Sequence, residues 1–387
     1  MANTQLQKTF SGAGNRKTFT LSFWVKRTKL STGMYVFNVG NQEANPQAGL
    51  EFQGNDTLTF WNNSGSGNKV MTTTQAFRDT NAWYHLVFSI DTTQSTASDR
   101  VKIYVNGEQI TSFSTATYPD QNYDYEWNGT QRHTIGAYYN NQSYFDGILS
   151  HIHFIDGTAY PASTFGSTDS TTGEWKINTS PTVTYGTNGF FILKDGNSVT
   201  DQSGNSNNFT VAGGTLTNTE DCPSNVFATF NRVNPYSGTL SNGNLKMSQA
   251  SYDYNVQGTL GMESGKYYWE YKIDGLYGEF GVCEQGKAGQ SDPQANIGFY
   301  FLYNNGNTTG YIWNNATAGS QSSTITISAF ASGMIINLAY DADNQALYIG
   351  QNGTWLNSGD PTSGASKTGA LITNLYPRFG GTIVPFC

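Results

Sequence analysis

Hydrophobic and polar positions alternate with period two along most of the chain, and no window longer than a turn or two carries the 3.6-residue spacing of a helix. Between Thr18 and Lys26 the residues Phe19, Leu21, Phe23 and Val25 share one face, while Thr20, Ser22, Trp24 and Lys26 share the other. The same reading gives strands over Trp83 to Ile90, with Tyr84, Leu86, Phe88 and Ile90 inward, and over Val101 to Val105. Asn106-Gly107 follows directly, and this pair predicts a tight hairpin because both central residues of a type I′ turn need positive φ. From Gly147 to Ile155, Ile148, Ile152 and Phe154 alternate with Leu149, His151, His153 and Ile155, a pattern that fits packing on either face. Regularity falls from Pro161 to about Asn225, around one apolar patch at Gly189 to Leu193. A second alternating block predicts strands over Tyr267 to Ile273, Phe299 to Tyr303, Ile335 to Tyr340 and Leu347 to Ile349. The last two flank an Asx-rich turn at Asp341 to Asn344. The expected fold is all-β: two β-sandwich domains, 1–160 and 226–387, joined by an irregular bridge, 161–225.

Composition narrows the functional classes. Only 12% of the 387 residues are charged, against about 25% in an ordinary domain, while 14% are aromatic and 43 residues are Gly. Coiled coils and long solvated helices are thereby excluded. Net charge is -8 and the 20 basic residues are scattered, so the chain lacks the cationic footprint of a nucleic-acid binder. The longest aliphatic-aromatic run, Phe190 to Leu193, is far below the roughly 20 residues of a membrane span, so no membrane insertion is expected. The opening residues lack the apolar core of an export signal, which predicts synthesis in a cytoplasm. The segment Met1 to Arg16 is polar and suits either an edge strand of its own sandwich or pairing with a partner chain. Cys222, Cys283 and Cys387 have neither disulfide nor zinc spacing, and Cys387 is expected as an exposed thiol.

The order FTLSFWVKR (19–27), AWYHLVFSID (82–91), VKIYVNGEQI (101–110) and YFDGILSHIHFIDGTAY (144–160) resembles the laminin-G-like branch of the concanavalin A-like jelly rolls. Trp83 and His85, Tyr104 with Asn106-Gly107, and Phe145 with Gly147 carry that resemblance over roughly residues 1 to 160. The second half resembles a SPRY domain through SGKYYWEYKI (264–273), GEFGVCEQG (278–286), INLAYDADNQALYIGQNGTW (336–355) and NLYPRFGG (374–381). Gly333-Met334 stands where that family usually has Gly-Asp. The pairing of the two halves, with DQSGNSNNFTV (201–211) and PSNVFATFN (223–231) between them, is similar to virion-surface proteins of tailed phages of marine bacteria. The resemblance implies a non-enzymatic virion protein, a tail or fibre component that binds host surface polysaccharide. Its partners would be other virion proteins and further copies of itself, a homo-oligomer. A capsid decoration or knob protein is the alternative, and a bacterial polysaccharide-binding adhesin module a third reading.

Three loops mix Tyr, Trp and Asn: YPDQNYDYEWNG (118–129), AYYNNQSYFDG (137–147) and FLYNNGNTTGYIWNN (301–315). Aromatic faces cover the apolar side of a pyranose while Asn and Asp bond its hydroxyls, so the glycan-binding candidates are Tyr123, Asp124, Tyr125, Trp127, Tyr138, Tyr139, Asn140, Tyr303, Tyr311 and Trp313. Replacing Tyr123, Trp127 and Tyr139 is expected to remove binding while sparing stability. Asp124 and Glu126 are the one carboxyl pair flanked by aromatics that could serve hydrolysis, but they read better as loop solvation. His151 and His153 could share a metal, yet no third ligand is spaced for one. The family resemblance raises calcium, for which Asp195, Asn197, Asp201 and Asn205 are the candidate oxygen ligands.

Overall fold

In a computed structural model, the residues described are 3–41, 46–64, 67–171, 173–194, 198–235, 239–248, 256–274, 278–285, 299–303, 308–314, 323–375 and 382–387. Among them the regular structure is strand, with four single-turn 3₁₀ segments, and the all-β class expected from the alternation holds. The chain divides into two compact units, Met1–Phe227 and Ala228–Cys387.

The first unit is a sandwich of an eight-stranded and a six-stranded antiparallel sheet. The eight-stranded sheet runs Phe113–Thr117, Asn68–Ala76, Thr57–Asn63, Gln47–Phe52, Met34–Val39, Arg132–Ile135, Gln5–Thr9, Thr210–Gly213. The six-stranded sheet runs Phe190–Ile192, Gly147–Asp156, Thr18–Arg27, Tyr84–Asp91, Val101–Val105, Glu108–Gln109. Phe19, Leu21, Phe23 and Val25 fill the space between them with Leu50, Phe52, Leu58, Phe60, Leu86 and Phe88. Asn106 (φ 48°) and Gly107 (φ 86°) make the expected hairpin turn. The Asn106 Oδ1 accepts the His85 N–H at 2.7 Å, which ties the turn to the central strand.

The polar start of the chain resolves into Gln5–Thr9, which lies inside its own sheet between Arg132–Ile135 and Thr210–Gly213. Residues 161–225 supply a strand to each sheet and roof the outer face of the six-stranded one. Phe165, Trp175, Val183 and Tyr185 pack there over Val87 and Ile155. Under this roof the Trp175 indole donates to His85 Nδ1 at 3.0 Å and Trp24 stacks on His85 at 4.8 Å. Further along, Lys26 and Asp221, both with no exposed side-chain surface, pair at 2.6 Å, and the Trp83 indole donates to the same carboxylate. A buried pair of this kind is tolerated because each oxygen of Asp221 has a donor.

The second unit has its own core. A seven-stranded sheet orders Phe230–Pro235, Val256–Gly258, Ile383–Phe386, Gly278–Glu284, Phe299–Tyr303, Thr309–Asn314, Ser323–Thr326, and a four-stranded sheet orders Lys266–Lys272, Ile335–Asp341, Ala346–Gln351, Thr354–Trp355. In the turn from Asp341, its Oδ1 accepts the Asn344 N–H at 3.0 Å. Cys387, expected as an exposed thiol, instead packs against this core, where burial pushes its pKa up to about 12.

Candidate functional site

The outward-facing side chains of the eight-stranded sheet include an aromatic group in the first unit. Leu50, Phe52, Leu58, Phe60 and Met71 point into the core, so alternation turns Gly49, Glu51, Thr59, Trp61, Val70 and Thr72 outward. Strand register lines them up in two rows across the sheet: Tyr35, Glu51, Thr59, Thr72, and Asn38, Gly49, Trp61, Val70. A Cβ on Gly49 would sit 2.8 Å from the Trp61 ring, so the glycine lets the indole lie across the neighbouring strand. Tyr35 meets Trp61 edge-on at 6.5 Å and stacks on Tyr138 at 4.4 Å, and Tyr139 abuts Tyr138 at 4.5 Å. The Tyr138 hydroxyl donates to Gln47 Oε1 at 3.1 Å. The loop carrying these tyrosines is held by the Tyr35 N–H donating to the Ser143 carbonyl. Burial raises the Glu51 pKa above the ordinary carboxylate value, with Tyr35, Gln53 and Trp61 acting against that shift. An open groove of about 420 Å³ adjoins the group, lined by Gln53, Asn55, Thr57, Thr59, Val70 and Thr72.

Of the ten residues proposed for glycan, Tyr138, Tyr139 and exposed Asn140 lie at this face. Tyr123, Tyr125 and Trp127 do not: they are core residues, at 9%, 1% and 2% exposure. Trp127 packs on Phe60 at 5.4 Å and Tyr125 edges Phe19 at 5.8 Å. Their spacing of two is the signal that could have found this, because a loop laid extended along the sandwich alternates like a strand. The Tyr125 N–H donates to the Arg16 carbonyl and the Glu126 N–H to Asn62 Oδ1, which fixes that extended path. Asp124 is exposed, and Glu126 pairs with Arg16 at 2.7 Å, so the two carboxyls face different surroundings. The side chains of Tyr303, Tyr311 and Trp313 lie outside the described residues. Trp127→Ala is therefore expected to cost about 3–5 kcal/mol and to lower the melting temperature clearly, contrary to the loop reading; chemical denaturation measures it.

The candidate calcium loop divides likewise. Asp195 and Asn197 lie outside the described residues. Asp201 is buried, and its carboxylate is ringed by donors: the N–H groups of Phe191, Ser203 and Asn207 and the Ser203 hydroxyl, at 2.8 Å each. Asn205 turns its amide N–H to the carbonyls of Gly186 and Gly189. Oxygens already facing hydrogens do not fit a cation, and among the described residues no cluster of three or more His, Cys, Asp or Glu could hold a metal. His151 sits at a bulge with φ 48° and bonds Ser150, while His153 is stacked 3.9 Å from Phe191 and bonds the Tyr185 hydroxyl. The two histidines are structural parts of the roofed face.

Residues 3–163 match the family model described as the concanavalin A-like lectin/glucanases superfamily, and the first unit carries that laminin-G-like jelly roll. Similar solved structures include domain 4 of a GH43 extracellular arabinanase from Geobacillus stearothermophilus in complex with arabinotriose, at 25% identity and a TM-score of 0.30, covering 38% of this chain and 65%, just under two thirds, of that one. Others are a heptameric SAP-like pentraxin from Limulus polyphemus, at 15% identity and TM-score 0.31 over 46% and 86% of the two chains, and domains LG4-5 of the mouse laminin alpha1 chain, at 10% and 0.33 over 99% and 78%. No curated protein matches the chain.

Proposed function

We propose that this protein is a non-catalytic component of a tailed-phage virion surface, a tail or fibre element that binds host cell-surface glycan through the outer face of the eight-stranded sheet. The observation that carries the glycan reading is the aromatic group Tyr35, Trp61, Tyr138 and Tyr139 set beside an open groove lined by the polar side chains of Gln53, Asn55, Thr57, Thr59 and Thr72. Flat rings and a few directed acceptors are what a pyranose needs, and the match to a lectin and glucanase superfamily supports it. The virion reading rests on the sequence resemblance of the two joined halves. Single sites of this kind are weak, and copies of the chain on one particle would supply avidity.

A capsid decoration role, with a surface turned to other virion proteins, is favoured by Val233 and Leu260, 74% and 57% exposed in the second unit. Labelled protein, presented multivalently to susceptible and resistant host cells with and without free host polysaccharide, separates the two. Selective binding that free polysaccharide competes away is expected. Trp61→Ala and Tyr138→Ala are each expected to weaken it about tenfold, since an aromatic contact contributes on the order of 1 kcal/mol or more. Folded protein that binds neither cell type would move the assignment to decoration.

A further inference from the structure

The outer face of the four-stranded sheet in the second unit carries a group that the first-unit reading does not use. Along Lys266–Lys272, Tyr267, Trp269 and Tyr271 pack toward the core, so Tyr268 and Glu270 point away from it. Register sets Tyr268 opposite Ala339, and it aligns Glu270, Asn337, Gly350 and Trp355 in one row across four strands. A Cβ on Gly350 would lie 3.2 Å from the Trp355 ring, so the indole rests on the glycine as Trp61 rests on Gly49. Tyr268 is 57% exposed and meets Trp355 edge-on at 6.2 Å.

Hydrogen bonds hold the exposed ring in place. The Tyr268 hydroxyl donates to Glu270 Oε1 and accepts from Asn337 Nδ2 at 2.7 Å, and the same amide donates to Glu270 Oε1 at 2.9 Å. Asn337, itself buried, is fixed from behind by the Gly353 N–H at 2.7 Å. Glu270 Oε2 accepts no hydrogen bond among the described residues. An exposed tyrosine left free would sample several rotamers. One locked beside an indole has already lost that entropy, which lowers the cost of binding.

We propose that this face is a second saccharide site, in which a neutral pyranose lies against Tyr268 and Trp355 and donates its hydroxyls to Glu270 Oε2. The carboxylate acceptor at the centre selects against uronic or sialic acids. The two rings and the polar row lie on the flat of the sheet, across its strands, which suits a sugar ring laid on that face rather than a peptide added as a further strand along an edge. The site stands on its own geometry and needs nothing from the first unit.

The test uses the full chain with Trp61→Ala, which removes the first-unit ring. Cellohexaose, maltohexaose, mannohexaose and xylohexaose are each titrated, followed by saturation-transfer NMR and by an equilibrium binding isotherm, with a hexagalacturonate as the charged comparison. At least one neutral hexaose is expected to bind the Trp61→Ala chain. Adding Tyr268→Ala should weaken that binding tenfold or more without moving the melting temperature, because the ring is exposed. Tyr268→Phe, which keeps the ring but frees it from Glu270 and Asn337, should lose less than Tyr268→Ala, Glu270→Gln should lose several-fold, and the galacturonate should bind more weakly than the neutral probe. Binding by the parent chain that disappears with Trp61→Ala alone would overturn the second site and leave the first standing. No binding of any neutral hexaose to the Trp61→Ala chain, or binding indifferent to Tyr268→Ala, would overturn it as well.

Discussion

A chain ending at residue 163, where the family match stops, is expected not to fold, whereas one ending at Phe227 is expected to unfold cooperatively on its own. The segment between these ends contributes Phe165, Phe190, Phe191, Ile192 and Phe209 as buried side chains, with Trp175 and Tyr185 packed beside them. At about 1.5–3 kcal/mol for each large side chain, that is on the order of 10–20 kcal/mol of gross burial, against a typical net stability of about 5–15 kcal/mol. The cut also strips the partner strand Phe190–Ile192 from Gly147–Asp156, and it takes Asp221 away from Lys26 and Trp83. What remains would expose Trp24, Val87 and Ile155 as a new apolar face, a surface prone to association. Far-UV and near-UV circular dichroism with limited proteolysis decides between the outcomes. A 1–163 chain with fixed aromatic signals and a sharp melt would show that the roof is an accessory.

The dependence on residues 161–227 explains what could and could not be seen in the sequence. Strands with one dry and one wet face announce themselves by alternation, and those over Thr18–Arg27, Val101–Val105 and Ile335–Asp341 were legible for that reason. The bridge was legible only as one apolar patch, Gly189 to Leu193, because its short strands are set by what they meet: Phe190–Ile192 is three residues long and takes its place in the sheet through His153 and Phe154. At the candidate site, composition drew attention to the loop 118–129 because it is rich in Tyr, Trp and Asn. Contacts with Phe60 show that Tyr125 and Trp127 turn inward, and within the sequence only their spacing of two hints at it. Conversely Trp61 and Tyr35 sit on strands outside the Tyr- and Asn-rich loops, where composition does not mark them, although the inward set Leu58 and Phe60 obliges Trp61 to face out. Gly49 and Gly350 were unreadable as sites because their role, a floor for an indole, depends on the neighbouring strand.

Acid is expected to destabilise the first unit well before its carboxylates are neutralised. His85, His133 and His153 are buried, and burial lowers all three: His85 to about 3, His133 to about 4, and His153 well below the ordinary value. His85 is held between Ser22 and the Trp175 indole, and His133 has one ring nitrogen against the Gln131 carbonyl. In the unfolded chain each would take up a proton near pH 6.5. Between that pH and the folded values the unfolded state therefore binds more protons, so stability is complete above about pH 7 and falls as pH drops. Each group loses about 1.4 kcal/mol per pH unit in that window, which for three of them amounts to about 6 kcal/mol at pH 5. Glu51 and Glu126, raised by burial, titrate in the opposite sense and trim this loss, since their folded forms hold protons longer than the unfolded chain does. Urea midpoints followed by tryptophan fluorescence from pH 7.5 to 5 give the slope directly. A midpoint that stays level to pH 5 would mean that at least two of these imidazoles reach solvent and charge in the folded state, which is incompatible with the roof packed over His85 and His153.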